Sequence, residues 1–322
     1  MAIPLLVVYA AVGFLAAPAF ISRTNVTSIL FSAAVLLPAV VGMQLLLVLG
    51  RFDLSIGAIA SLAGMVAGLS LERFHSMPLA VGFALCIGMV AGLLNGLVVS
   101  RFQINPLIAT LAMMGIGRSL SLVINEGRIV AGSSSEIEWK QLGWITDARF
   151  AGIPVLILIA ACIVCVSSLA ATHAVILRRF YAVGDNPTAA SHAGINVPWL
   201  VTLGFLLTGL GAAAVGTLQA SRTLSASPLQ FQTLAIEAIT ACLIGGGTLA
   251  GGRGSILGAA LGLILVCATT NLVVILGISV HWKEFAIGLL LLLAVLGSPI
   301  VNRIGGLLFK QKNNLTKHET KN

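Results

Sequence analysis

Long apolar runs broken by short polar islands recur along the whole chain. Pro154 to Leu177 contain no Asp, Glu, Lys or Arg, and neither do Val197 to Ser221. A helix needs roughly 20 apolar residues to cross a bilayer, so each of these runs can span one. The alternation predicts about ten helical segments. They are Ala2–Phe20, Val26–Gly50 with an interruption at Pro38, Leu54–Leu71 with Asp53 as N-cap, Pro78–Ser100 and Pro106–Asn125, then Pro154–Leu177, Val197–Ala220, a short Phe231–Ile244, Ser255–Leu276 and Phe285–Ile300. Gly127–Gly152 is expected as an external loop with Trp139 and Trp144 as interfacial aromatics.

Some of these segments should be broken or re-entrant. Pro38 removes a helix hydrogen bond. Gly245, Gly246, Gly251, Gly252 and Gly254 dissolve the helix that ends at Ile244. Gly88, Gly92 and Gly96, like Gly64 and Gly68, repeat at the four-residue spacing of closely packed helices. Gly50-Arg51 and Gly252-Arg253 each precede a helix opening, Ser55-Ile56 in one case and Ser255-Ile256 in the other, an echo that suits two related halves. Residues 1–309 are expected to form one transmembrane domain, and Lys310–Asn322 a polar cytoplasmic tail. Met1–Phe20 lacks the positive start of a secretory signal, so it is expected to stay as a span, and its abrupt opening suggests residues upstream.

Composition turns this pattern into a fold class. The 322 residues are 58% hydrophobic and 9% charged, with a mean hydropathy of +1.06. A soluble domain carries about 25% charged residues. The segments are apolar on all sides for longer than the alternating strands of a barrel. The expected fold is therefore all-α, a polytopic transmembrane helical bundle.

The net charge of +8 does not point to nucleic acid. Ten of the eighteen Lys and Arg, among them Arg51, Arg101, Arg178, Arg179 and Arg253, fall in segments placed on one side of the membrane. That bias marks the cytoplasmic side. The chain has no phosphate-binding Gly-Lys loop, hydrolase elbow or zinc motif, so no enzyme activity and no cofactor are expected. Cys162 and Cys165 lie mid-span and are expected to pack like the other three cysteines.

The remaining chemistry is polar and sparse. Glu237 sits in the short glycine-ended segment, where an acid is costly. It either lines a pathway or forms a structural hydrogen bond. Asp53, Ser55, Asn95, Thr110, Thr240 and Asn271 are further pathway candidates by polarity, and each also suits helix packing. Between two spans lies the polar island Arg178 to Val197. Asn186 and Pro187 fit the N-cap and first position of a short helix reaching about Ala193, and Gly194 fits the glycine that ends it.

Three ordered motifs resemble the permease subunits of sugar-type ABC importers, the ribose, xylose and autoinducer-2 group. They are Asp53-Leu54-Ser55-Ile56-Gly57; Ala182-Val183-Gly184-Asp185-Asn186-Pro187-Thr188-Ala189-Ala190 with Gly194-Ile195-Asn196-Val197; and Ala238-Ile239 through Ile244-Gly245-Gly246 to Gly251-Gly252-Arg253-Gly254-Ser255. Leu94-Asn95-Gly96-Leu97 is similar to a fourth. Asp185, Thr188 and the pair Arg51-Phe52 depart from the family pattern.

The resemblance implies a multi-pass protein of the bacterial inner membrane that carries a monosaccharide or sugar-like solute. It implies cytoplasmic ABC ATPase subunits that bind the ATP, an extracytoplasmic sugar-binding protein, and a second permease copy or sister permease as partners within the membrane lipid. Arg178, Arg179, Asp185, Asn186, Pro187, Thr188, Ala189, Ala190 and Gly194 would then form the coupling loop to the ATPase. A secondary transporter driven by an ion gradient is the alternative, because broken helices and internal symmetry suit it equally.

Overall fold

Ser22 accepts a hydrogen bond from the Asn25 N–H at 3.3 Å and so opens the first long helix, α1, Arg23–Val48. The computed structural model describes residues 17–132, 137–279 and 281–296, together with Tyr9, Ala11, Gly13 and Leu15. A 3₁₀ turn, Pro18–Ile21, precedes α1. There follow α2 Ile56–Phe74, α3 Met77–Ser100, α4 Pro106–Val123, α5 Ile137–Asp147, α6 Val155–His173, α7 Val175–Asp185, α8 Pro187–His192, α9 Val197–Thr223, α10 Leu234–Ile244 and α11 Ile256–Ile275. A last helix, α12, covers 282–296. Asn105 caps α4, Asn186 caps α8, Asn196 caps α9 and Ser255 caps α11, each accepting a backbone N–H from the first turn.

Among the described residues, seven helices are long and apolar enough to cross a membrane: α1, α2, α3, α4, α6, α9 and α11. The chain is an all-α multi-pass membrane protein. α9 lies against α1, α2 and α3. Its contact with α3 is made by backbones at close range: a Cβ on Gly88, Gly92 or Gly96 would meet Gly209, Phe205 or Thr202 of α9. Gly64 of α2 faces Gly216 of α9 in the same way. Lipid is as apolar as leucine, so helices in a membrane hold together by such close packing rather than by escape from water. α6 is the least buried of the seven spans, with most of its surface turned away from the bundle.

Several expectations change. α1 runs unbroken through Pro38; a proline removes one ladder bond, and Gly211 of α9 packs closely on the Pro38 carbonyl. Asp53 is not the N-cap of α2; the helix starts at Ile56, and Asp53 accepts from the Ser55 N–H instead. The sixth span ends at His173, and the island that looked like a loop is mostly two helices, α7 and α8. The short segment begins at Leu234 rather than Phe231.

The connection from Gly127 to Gly152 is not simply a loop. It carries α5 and two short strands, Val130–Ala131 (β1) and Arg149–Phe150 (β2). β1 pairs antiparallel with Ser225–Ala226 (β4), and β2 with Ile153–Pro154 (β3). Trp139 packs with Val130, Leu142 and Ala226 and is 1% exposed, whereas Trp144 is exposed as an interfacial residue would be. Most of Ala2–Phe20, the tail Lys310–Asn322 and the boundary at residue 309 lie outside the described residues.

Candidate functional site

The polar island is built from the junction of α6 and α7. At Ala174 the backbone turns extended, with φ −72° and ψ 124°, and α7 leaves at a new angle. α7 buries Phe180 and Val183 and exposes Arg178 and Arg179. It stops because Asn186 is extended, with φ −152°, and Pro187 restarts the chain as α8. The Asn186 side chain accepts the Ala189 N–H at 2.9 Å. Ala190 is the buried residue of α8, while Thr188, Ala189, Ser191 and His192 are exposed. Gly194 ends the turn at φ +80°, a conformation costly for residues with a Cβ. An open groove lies between α8 and the start of α4, lined by Arg51, Gln103, Asn105, Pro187, Ser191 and Val197 among others.

Behind the island, three chain segments meet at backbone distance. The Gly252 N–H donates to the Val48 carbonyl at 2.8 Å. Gly184 lies against both, and a Cβ there would collide with the Val48 carbonyl and the Gly252 nitrogen. The Tyr181 hydroxyl donates to the Gly254 carbonyl at 3.1 Å, and burial pushes the Tyr181 phenol up, so it keeps its proton. Gly245, Gly246, Gly251, Gly252 and Gly254 therefore shape a loop that joins the end of α10 to α11 and receives α7. The echo at Gly50 and Gly252 is also spatial, since Gly251 sits against Gly50 and the Gly184 carbonyl. Gly184 was not among the candidate residues, although it lies inside the island's motif. Gln44 of α1, fully buried, faces Gly247 and Gly254, and neither of its amide atoms has a hydrogen-bond partner among the described residues.

Asp53, Ser55 and Asn95 come together. Asp53 Oδ1 accepts from the Ser55 N–H at 2.8 Å and from the Ser55 hydroxyl at 2.5 Å. Asn95 Nδ2 donates to Asp53 Oδ2 at 3.3 Å and to Ser55 Oγ at 2.9 Å. All three residues are buried; burial pushes the Asp53 carboxyl up, and the hydrogen bonds from Ser55 and Asn95 work against that rise. This cluster ties the start of α2 to α3.

The other pathway candidates separate. Glu237 lines a polar cavity of about 240 Å³ with Ser32, Gln219, Arg222, Gln230 and Lys283. Thr233 donates to Glu237 Oε1 at 2.8 Å, and Lys283 Nζ lies 3.7 Å from the same oxygen. Arg222 donates to Ser32 Oγ at 3.2 Å and lies over the Phe31 ring, 4.9 Å from its centre. Arg222 and Lys283 were missed as site residues, although both are charges set among apolar segments. Thr110 and Thr240 donate to carbonyls of their own helices, at Pro106 and Ile236. Asn271 exchanges two hydrogen bonds of 2.9 Å with Asn25. None of these three lines the cavity. Among the described residues, no group of three His, Cys, Asp or Glu could hold a metal ion.

A family model described as the branched-chain amino acid transport system / permease component matches residues 25–295. The chain is 31% identical over 294 residues to the ribose import permease protein of Escherichia coli, with 91% of each chain covered. It is 30% identical over 275 residues to the autoinducer 2 import system permease protein of Enterobacter sp. (strain 638), covering 85% of this chain and 79% of that one. No solved structure matches.

Proposed function

The chain belongs to the permease family of sugar-type ABC importers, and we propose that it carries a monosaccharide or related polyol or sugar-like solute across the bacterial inner membrane, driven by ATP hydrolysis on a partner subunit. In this reading α8 docks in a cytoplasmic ATPase, a sugar-binding protein meets the opposite face, and a second permease copy or a sister permease completes the path.

The observation that carries the mechanism is the backbone joint at Gly184. A short, well-capped helix is a stiff lever only if its mount is stiff. α7 provides that mount, because Gly184 rests on the Val48 carbonyl at the end of α1 and on the Gly252 nitrogen just before α11. A push on α8 thus reaches two spans directly. α10, at 11 residues too short to span a bilayer, ends in the same glycine loop and carries Glu237 into the polar cavity. Motion at the joint and motion at the cavity are two ends of one segment.

The test is uptake by the permease reconstituted with its ATPase and binding protein, with D-ribose as the probe and related pentoses and polyols beside it. The reading expects uptake that needs ATP hydrolysis and survives an uncoupler. Uptake that persists without the ATPase and collapses with the ion gradient would establish a secondary transporter instead.

A further inference from the structure

Five helices, α1, α9, α10, α11 and α12, and the segment before α10 close round the cavity at Glu237. It lies at the ends of α1, α9 and α11 remote from α7: about 24 Å of α1 separate Ser32 from Val48 at 1.5 Å per residue. Arg222 and Gln230 are exposed and mark its mouth. One turn further into α1 and α11, Val35 and Val266 are buried, and with Leu234 they close it toward the glycine loop. Its 240 Å³ is about the volume of eight waters at their share of the liquid, room for one pentose.

The lining carries hydrogen-bonding capacity that the protein leaves unspent. Thr233 and Lys283 both approach Oε1 of Glu237, so Oε2 is open among the described residues. Arg222 spends one N–H on Ser32, out of the five that a guanidinium carries. The side-chain amides of Gln219 and Gln230 make no hydrogen bond among the described residues. A carboxylate only accepts, guanidinium and ammonium groups only donate, and an amide does both. A run of hydroxyl groups answers all of them, since each hydroxyl donates and accepts. An amino acid fits less well, because its ammonium would meet Glu237 where Lys283 already stands 3.7 Å away.

We propose that this cavity is a solute site within a single permease chain, and that Gln219, Arg222, Gln230, Glu237 and Lys283 read the hydroxyl groups of one sugar there. The proposal deepens the transport reading and rests on it for the class of solute. Its test is binding to the full chain with neither ATPase nor ion gradient, so it can fail while ATP-driven uptake stands.

The experiment is calorimetric titration of the full chain in lipid nanodiscs with D-ribose, and with L-leucine as the comparison. Ribose should bind saturably, one per chain, and leucine should not. Gln219→Ala and Gln230→Ala should each weaken ribose binding about threefold to tenfold, the worth of one hydrogen bond. Both variants should melt as the unmodified chain does, because neither amide is bonded to the protein. Gln232→Ala is the control: Gln232 lies two residues from Gln230 but lines a different cavity, with Arg118 of α4, and its loss should leave binding unchanged. No saturable ribose binding overturns the proposal. So does leucine binding as tightly as ribose, or ribose binding that both glutamine variants keep in full. Equal weakening by Gln230→Ala and Gln232→Ala overturns it too, because the site would then lie elsewhere.

Discussion

Gly252 donates its backbone N–H to the carbonyl of Val48 at 2.8 Å, across a gap that only the missing side chain of Gly184 leaves open. Gly184→Ala would put a methyl group into backbone atoms, which cannot rotate away. Overpacking of this kind costs about 1–3 kcal/mol. The expected outcome is a lower melting temperature and a larger loss of uptake, because the joint opens before the bundle melts. Wild-type stability and wild-type uptake in this variant would remove the joint from the mechanism.

Asn186 holds the first turn of α8 through the Ala189 N–H. Asn186→Ala should destabilise that turn by about 1 kcal/mol, and Asn186→Ser should restore most of it. The loss is local, so the overall fold should survive. The quantity to measure is solute moved per ATP hydrolysed in the reconstituted importer. A fall in Asn186→Ala with recovery in Asn186→Ser supports docking through α8; an unchanged ratio in both counts against it.

Ala190 is the buried face of α8, so a bulky or charged side chain there should uncouple transport from ATP hydrolysis. Ala190→Glu and Ala190→Trp are the variants. Ligand-stimulated hydrolysis and uptake, assayed together, should part company. If both stay normal, α8 is a solvated turn and nothing more.

Glu237 and Lys283 approach to 3.7 Å at the polar cavity, with Lys283 partly open to solvent. Partial exposure limits such a pair to under about 1 kcal/mol. Glu237→Gln should therefore leave stability nearly unchanged but slow uptake. Combining it with Lys283→Met in a double-mutant cycle separates the pair from the acid alone. Uptake unaffected by Glu237→Gln would mean that the carboxylate serves only its bond from Thr233.

Gln44 offers a prediction of opposite sign. A buried amide with no partner costs about 1–3 kcal/mol. Gln44→Met keeps the length and removes the polar atoms, so the melting temperature should rise. A rise together with reduced uptake would show that Gln44 finds its partners in another state of the glycine loop. A fall would show that the amide is bonded in the resting protein.

The spans and α8 were legible because their signals are local: charge-free runs long enough for a bilayer, and an Asn-Pro start closed by a glycine. α7 was not, because the break at Ala174 comes inside a charge-free run and nothing in the neighbouring residues marks it. Trp139 looked interfacial because aromatic residues at loop positions usually are; the pairing of β1 with β4, 95 residues away, covers it. The polar candidates divide for the same reason. Asp53, Ser55 and Asn95 meet only once α2 and α3 are packed, and Asn271 is taken up by Asn25, 246 residues earlier. Polarity located these side chains, and the tertiary structure chose their partners.

The joint between Val48, Gly184 and Gly252 is made of peptide groups alone. It has no charge to titrate and no ion pair for salt to screen. Changes in pH or ionic strength that alter the arginine-rich face around it therefore leave the joint itself untouched. Displacement can pass from α7 to the spans under conditions that weaken electrostatic docking. Salt should reduce how often an ATPase engages this protein, and leave unchanged how far each engagement moves it.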